Sequence, residues 1–285
     1  MSRQILSIRE TLYEGAGRLS GLPDVDAMRE AELLLMEAAA LSRTTLIAWP
    51  ERRLTLEQVR TFLALVERRR LGEPIAYIRG RQAFWDLELK VTPGTLIPRP
   101  ETELLVELVL ERLPADQTLL IADLGTGTGA IAAALGRERP GWTLLALERS
   151  TAAIAVAAAN LRRVALSNAH ALQSDWLDAL APNSLDAVVS NPPYVRDGDP
   201  HLSRGDLRFE PRAALAAGRD GLDAIRGIAA DAGRCLRRNG LLAIEHGYDQ
   251  GNDVRKILAT AGYHQIRTCL DLAGLERVTV AVTRS

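Results

Sequence analysis

Cysteine is nearly absent, with Cys235 and Cys269 the two thiols in 285 residues. Neither has a C-x-x-C neighbour, which excludes a disulfide framework and a structural zinc site and leads us to expect a reducing compartment, the cytosol. Lysine is as scarce, with Lys90 and Lys256 against a basic complement made otherwise of arginine. The cluster Arg68-Arg69-Arg70 therefore reads as compositional bias on a solvated helix face. Neither sign of charge dominates: 35 basic and 36 acidic side chains leave −1, so no chain-wide field exists to draw in a phosphate backbone or an anionic membrane. Long apolar runs are missing too. The longest largely apolar stretch, Leu33 to Leu41, is far too short to span a bilayer, and Met1 to Glu10 carries charges where an export signal needs an apolar core. The four histidines, His170, His201, His246 and His264, lack the i, i+4 spacing of a metal-binding helix, and no metal is expected.

What is present is ordinary globular material, 47% hydrophobic and 25% charged with a mean hydropathy of −0.02. The length suits two domains. From Gln4 to about Arg70 apolar residues recur at three- and four-residue spacing (Ile5, Ile8, Leu12; then Val25, Met28, Ala31, Leu35, Met36), as in a small helical bundle. Pro23 suits the first turn of a second helix. Thr55 with Gln58 forms a capping box opening a helix through Phe62, Leu65 and Val66, which Gly72 and Pro74 end. Phe84 to Val91 alternates as a strand, with a hairpin turn expected at Pro93-Gly94. We divide the chain into a helical domain (1–73), to which the family resemblance given below assigns substrate recognition, a β-hairpin linker (74–100) and a second domain (101–285).

Beyond Glu101 strands and helices alternate: Leu119–Asp123, Ala130–Arg139, Thr143–Glu148, Thr151–Val164, His170–Ser174, Leu185–Ser190, a helix from about Leu222 to Arg238 stopped by Gly240, and Leu241–Glu245. This predicts an α/β domain with a parallel sheet covered on both faces. The final strands, near Gln265–Leu270 and Arg277–Thr283, are joined by too little chain for a crossover and must pair antiparallel.

Asp123-Leu-Gly125-Thr-Gly127-Thr-Gly129-Ala130 sits between a strand and a helix, where glycines let the backbone turn sharply and approach a bound molecule. It also satisfies the loose dinucleotide fingerprint, and Glu148 at the tip of the next strand is placed to accept ribose hydroxyl bonds. Alone, the loop leaves the ligand open. Asn191-Pro192-Pro193-Tyr194 ends the fourth strand, beside the glycine loop if the first and fourth strands flank the point where strand order reverses. Two prolines remove two backbone donors, so the Pro192 carbonyl and the Asn191 amide oxygen can converge on a planar NH₂ group while Tyr194 packs on its face. Such a group is an amide or an aromatic amine. Alkylating it requires that the nitrogen lone pair be aimed at an electrophilic carbon, and acceptors that hold both hydrogens stabilise the positive charge that develops.

These two motifs, with Leu96-Ile-Pro-Arg-Pro-Glu-Thr-Glu103 upstream, resemble the release-factor glutamine-N5 methyltransferases over nearly the whole chain. The resemblance implies a Rossmann-like, seven-stranded S-adenosylmethionine-dependent methyltransferase domain behind an N-terminal helical bundle. It implies methylation of the glutamine in the Gly-Gly-Gln motif of class I peptide release factors; charge balance and the lack of a long apolar run leave no nucleic-acid or membrane partner expected, and a monomer is expected although the sequence leaves the oligomeric state open. By motif it assigns Gly125, Thr126, Gly127, Thr128, Gly129, Glu148, Asp175, Trp176 and Asn191 to the cofactor, and Asn191, Pro192, Pro193 and Tyr194 to the substrate glutamine, with Asn191, Pro192 and Tyr194 catalytic. Arg99, Glu101 and Thr102 lie in a family string, yet Thr102 could cap the following helix and Glu101 favour its positive end. Arg208 and Glu210 lie in a second family segment on a long stretch, where lids and salt-bridged loops both occur. Glu245, a strand-terminal carboxylate of the kind that is often merely solvated, is left outside the site. Two other functions fit parts of the pattern: N-methylation of a nucleic-acid base, and cofactor-dependent partner binding without turnover. Against the first, residues 1–90 hold 14 basic and 13 acidic side chains and so present no basic groove.

Overall fold

The computed structural model describes residues 6–23 and 25–284, so Gln4 and Ile5 lie outside the described residues. Two compact units result: the chain up to Gly80 together with Arg204–Phe209, and Arg81–Ser203 with Glu210–Ser285. The hairpin placed in a linker by sequence therefore belongs to the second unit. Among the described residues no helix is long and apolar enough to cross a membrane.

The first unit is built from α1 (Ile8–Leu19), α2 (Ala27–Ala39), α3 (Arg43–Ala48), α4 (Leu56–Arg70) and α5 (Ile75–Arg79). Their apolar stripes close on Ile8, Leu19, Leu34, Leu35, Phe62 and Val66, all fully buried. The Thr55–Gln58 capping box forms as expected, with the Gln58 N–H donating to Thr55 Oγ1 at 3.2 Å and the Thr55 N–H to Gln58 Oε1 at 2.9 Å. A second box, Ser7 with Glu10, opens α1. Pro23 stands ahead of α2, not in its first turn; Asp26 caps that helix, accepting from the Arg29 N–H. The arginine cluster needs a correction as well. Arg68 and Arg70 lie on the outer face, but Arg69 is buried at 6% exposure and pairs with Glu30 (2.7 Å) and Asp206 (2.9 Å). A guanidinium out of water needs such partners, and composition does not reveal where they will come from.

The second unit opens with a hairpin, β1 (Arg81–Phe84) and β2 (Leu87–Lys90), paired Phe84 to Leu87. Its two-residue turn is Trp85-Asp86, with Trp85 at φ 57°, and not Pro93-Gly94. A two-residue hairpin demands positive φ, which tryptophan rarely supplies, so the turn carried no sequence signal. Then follow α6 (Glu103–Arg112), β3 (Leu120–Leu124), α7 (Ala130–Glu138), β4 (Thr143–Glu148), α8 (Thr151–Arg163), β5 (Ala169–Gln173), β6 (Leu185–Ser190), α9 (Asp223–Cys235), β7 (Leu236–Glu245), α10 (Gly251–Thr260), β8 (His264–Leu270) and β9 (Glu276–Val282). Seven strands form one sheet in the order β5-β4-β3-β6-β7-β9-β8, parallel except for β9, which runs antiparallel to both β7 and β8. Separate apolar clusters cover its two faces, one around Trp142, Ile131 and Leu105, the other around Ile225, Ile228 and Leu242. Leu236 to Arg238, read from sequence as the end of a helix, instead open β7, with Asn239 at φ 58° before Gly240.

Strand order reverses between β3 and β6, and their register pairs Leu124 with Ser190. The Ser190 hydroxyl locks this register by donating to the Leu124 carbonyl at 2.8 Å. Gly125 and Asn191, the next residue on each strand, therefore leave the sheet side by side. A buried asparagine ties the hairpin into this region. Asn160 on α8 accepts from the Lys90 N–H (2.8 Å) and donates to the carbonyls of Lys90 (3.0 Å) and Thr128 (2.8 Å). Replacing Asn160 by alanine removes bonds to one buried backbone group, the Thr128 carbonyl, and to two part-buried ones on Lys90, and at roughly 1 kcal/mol or less each the variant should lose about 2 kcal/mol. Urea unfolding followed by circular dichroism checks this; a loss below about 0.5 kcal/mol would mean that the three bonds hold nothing together.

Candidate active site

The glycine loop owes its shape to Asp123, which ends in a fully buried carboxyl beneath it. Oδ2 accepts from the Thr126 hydroxyl at 2.5 Å and from the Ala132 N–H at 3.1 Å, while Oδ1 is buried without a partner among the described residues. Gly125, Gly127 and Gly129 all take positive φ (66°, 56° and 82°), where a Cβ is strained. The two hydroxyls of the loop point inward: Thr126 is buried on Asp123 and Thr128 is 3% exposed. Gly129 packs on α8, with Ala157 about 3.4 Å from where its Cβ would stand. Of the five loop residues assigned to the cofactor, Gly125 and Gly127 line the cavity; Thr126, Thr128 and Gly129 hold the loop from behind.

That cavity measures about 730 Å³, within the ordinary range for a small-molecule site. Glu148 and Asp175 face it, as do Trp176, Asn191 and Pro193. Glu148 is already engaged: Oε2 accepts the Gly127 N–H at 3.1 Å and Oε1 the Ser150 N–H at 2.9 Å. Two of the roughly four acceptor positions of a carboxylate are thus spent on shaping the loop. Trp176, at φ 42°, both packs on the core under α9 and closes over Gly125. Pro211, Ala213, Ala214, Ala216 and Ala217, from the long stretch after β6, supply an apolar wall. A smaller cleft of about 400 Å³ has walls of opposed charge, including the pairs Arg196–Asp249 and Arg226–Asp220, and the glycine loop does not reach it.

The Asn-Pro-Pro-Tyr segment is clamped from several sides. Asn191 Nδ2 donates to Thr102 Oγ1 at 3.0 Å. Thr102 therefore serves Asn191 and makes no side-chain cap on α6. Pro192 is buried, and among the described residues no donor reaches its carbonyl. Tyr194 turns away from the cavity wall, its hydroxyl donating to Glu245 Oε1 at 3.3 Å. The Tyr194 carbonyl accepts from Gln250 Nε2 at 2.9 Å, and Gly221 packs so closely that a Cβ there would fall 2.3 Å from the same oxygen. Glu245 corrects the sequence reading outright: it is 1% exposed, not solvated. Burial pushes its pKa up to about 7, against the lowering influence of Thr102, Arg277 and Tyr194. Glu210, also buried, clasps Leu96–Arg99 by accepting the Ile97 N–H at 3.0 Å and pairing with Arg99. Arg208 donates to the Leu71 carbonyl within the first unit. Sequence reasoning missed Asn160, Gly221 and Gln250, none of which belongs to a local motif.

Residues 10–80 match the family model for the PrmC N-terminal domain, and residues 102–205 match that of the methyltransferase small domain. A release factor glutamine methyltransferase from Pseudomonas aeruginosa is 51% identical over 92% of this chain and 95% of its own length. The chain belongs to the release factor glutamine methyltransferase family. Relatives of that name from Coxiella burnetii (46% identical, 97% of this chain and 99% of theirs) and Escherichia coli K12 (48%, 88% and 91%) agree. Among solved structures, a methyltransferase from Pyrococcus furiosus superposes with a TM-score of 0.54 at 16% identity, covering 77% of this chain and 98% of that one. A Thermus thermophilus 16S rRNA N2 G1207 methyltransferase, solved with AdoMet and guanosine, gives 0.51 at 23% identity, covering 72% and 50%. Both likenesses establish the methyltransferase fold for this family member.

Burial also raises Asp123, from 3.8 to about 7, so between those values the folded protein holds a proton that the unfolded chain releases. Stability from this group is complete below pH about 4 and lost as pH rises through about 7. An Asp123→Asn variant should therefore show a flatter stability curve than the parent across that window in thermal melts at stepped pH. Parallel curves would place the proton elsewhere.

Proposed function

We propose that this protein transfers a methyl group from S-adenosylmethionine to the side-chain amide nitrogen of the glutamine in the Gly-Gly-Gln motif of class I peptide release factors. The observation that carries the reading is the β3–β6 register, which sets Asn191 beside the glycine-lined cavity while Thr102 occupies its NH₂ group. The oxygen of Asn191 is then the atom left to meet a substrate, and it can only accept.

The cavity fits the cofactor by its own chemistry. Gly125 and Gly127 present backbone at a wall that any side chain would fill. Glu148 retains acceptor positions for ribose hydroxyls, and Trp176 with Asp175 offers a flat apolar face beside an acceptor for a purine. S-adenosylmethionine supplies a methyl group on a positively charged sulfur, electrophilic enough for a poor nucleophile.

An amide nitrogen is such a nucleophile because its lone pair is delocalised into the carbonyl. Asn191 Oδ1 and the Pro192 carbonyl each take one N–H of the substrate carboxamide, so its nitrogen faces the loop in a single orientation. Positive charge develops on that nitrogen, and the two fixed acceptor dipoles stabilise it more than they stabilise the ground state. The N-protonated amide so formed is a strong acid and releases its proton to water, so no side chain need act as a base. The apolar wall from Pro211 to Ala217 keeps these dipoles in a low dielectric.

The direct test is incubation with labelled S-adenosylmethionine and a class I release factor, followed by peptide mapping. A single methyl on the Gly-Gly-Gln peptide, absent when the glutamine is replaced, is expected; label on RNA or on another peptide would overturn the reading. Asn191→Ala should leave cofactor affinity within a few-fold and lower turnover by about 10²- to 10³-fold, the usual loss for one oriented dipole. Gly127→Val should do the reverse at the binding step, abolishing cofactor affinity in calorimetry through its β-branched side chain at φ 56°. Normal affinity in the valine variant would put the cofactor elsewhere.

A further inference from the structure

Gln250 stands just ahead of α10 and is 4% exposed, although it does not line the glycine-lined cavity. Its backbone is fixed on both sides: the N–H donates to the Gly247 carbonyl at 2.9 Å, and the carbonyl accepts from Asp253 and Val254, both at 3.0 Å, as the first bonds of α10. The side chain projects from that rigid support. Oε1 accepts the Gly247 N–H at 2.8 Å, and Nε2 donates to the Tyr194 carbonyl at 2.9 Å and the Asp220 carbonyl at 3.4 Å. The two ends of an amide have nearly the same shape, but one N–H and two carbonyls accept only this orientation. Burying so polar a group costs free energy that an apolar side chain would not, and its bonds show what the cost secures.

The Tyr194 carbonyl and the Val195 N–H belong to one planar peptide unit. The Leu215 carbonyl accepts the Val195 N–H at 2.8 Å, and Gln250 holds the carbonyl of the same unit from its other edge. A plane held by one bond can pivot about it; held at both edges it cannot. This unit is the far anchor of the Asn-Pro-Pro-Tyr segment, and the near anchor is the β6 register with the Ser190 hydroxyl on the Leu124 carbonyl. Between the anchors Pro192 and Pro193 have fixed φ and no N–H by which they could be held. The direction of the Pro192 carbonyl therefore depends on where the two ends are pinned. Gly221 shows how closely the far end is fitted: at φ 76°, its Cβ would fall 2.3 Å from the Tyr194 oxygen and 2.9 Å from Gln250 Nε2.

We propose that Gln250 is a positioning residue that, through the Tyr194–Val195 peptide, fixes where the Pro192 carbonyl points and so aligns the substrate carboxamide. This rests on the reading of that carbonyl as one of the two acceptors. In the charged cleft around Gln250, Arg196 pairs with Asp249, Arg226 with Asp220 and Lys256 with Asp253, and Glu245 and His246 precede it in the chain.

Turnover with labelled cofactor and a release factor, beside cofactor affinity from calorimetry, tests this. Gln250→Met keeps the length of the side chain and removes its donor; kcat should fall about tenfold or more at every pH, while cofactor Kd stays within about twofold. Gln250→Glu adds a readout that a merely structural role would not move. Ionised, it sets an acceptor against the Tyr194 and Asp220 carbonyls; protonated, it donates to one of them again while still accepting the Gly247 N–H. Burial and two facing carbonyls favour the protonated form as pH falls. Its kcat divided by that of the parent at the same pH, which cancels titrations common to both, should be about a tenth or less at pH 9 and should rise about threefold or more by pH 6. The same ratio for Gln250→Met should stay flat. Unchanged kcat in Gln250→Met, or a ratio for Gln250→Glu that does not rise, would overturn the proposal. A fall in cofactor affinity as large as the fall in kcat would overturn it in favour of a general loosening of the fold. If Gln250→Met does not fold, the Gln250→Glu ratio decides alone. Asn191→Ala separates this failure from that of the underlying reading: an active Asn191→Ala enzyme refutes both, whereas an inactive one beside a normal Gln250→Met refutes only the positioning role.

Discussion

The pairing of Leu124 with Ser190 is the constraint on which the rest of the site depends. A parallel strand pair advances its residues in step, so once this register is set, Gly125 and Asn191 emerge together at the point where strand order reverses. The Ser190 hydroxyl on the Leu124 carbonyl opposes a slip that would move every side chain of β6 to the other face. A glycine loop and an acceptor tetrapeptide become one site because they share this crevice.

Both halves of the crevice rest on a buried carboxyl. Asp123 underlies the glycine loop and Glu245 underlies the Asn-Pro-Pro-Tyr segment, and burial pushes each to about 7. Neither lines the cavity. Each sacrifices solvation to hold a hydroxyl, Thr126 in one case and Tyr194 in the other. Such orientation is worth its cost where a dipole must already point correctly before charge develops. The three bonds of Asn160 and the clasp of Glu210 on Ile97 and Arg99 extend the same support outward.

Much of this was legible in the sequence because local rules carry it. Glycine spacing between a strand and a helix, a double proline after another strand and the alternation of elements each have a short-range cause, and they led to a parallel α/β sheet with a ligand loop; the resemblance of the motifs to a known family supplied the seven strands and the methyl transfer. The turn at Trp85-Asp86 was not legible, since tertiary packing there overrides a tryptophan's dislike of positive φ. The burial of Arg69 and Glu245 was hidden for another reason: it depends on partners such as Asp206 and Tyr194, 137 and 51 residues away in the chain. Thr102 read as a helix cap because Thr before an acidic residue is a cap signal. Only the fold brings Asn191 to compete for its hydroxyl.

The central claim is that two acceptor oxygens orient a carboxamide toward the glycine-lined cavity. A crystal structure with S-adenosylhomocysteine and a peptide containing Gly-Gly-Gln tests it most directly. The glutamine nitrogen is predicted about 3 Å from both Asn191 Oδ1 and the Pro192 carbonyl, facing the cofactor sulfur. A glutamine seated elsewhere, or one met by the NH₂ group of Asn191, would contradict the account.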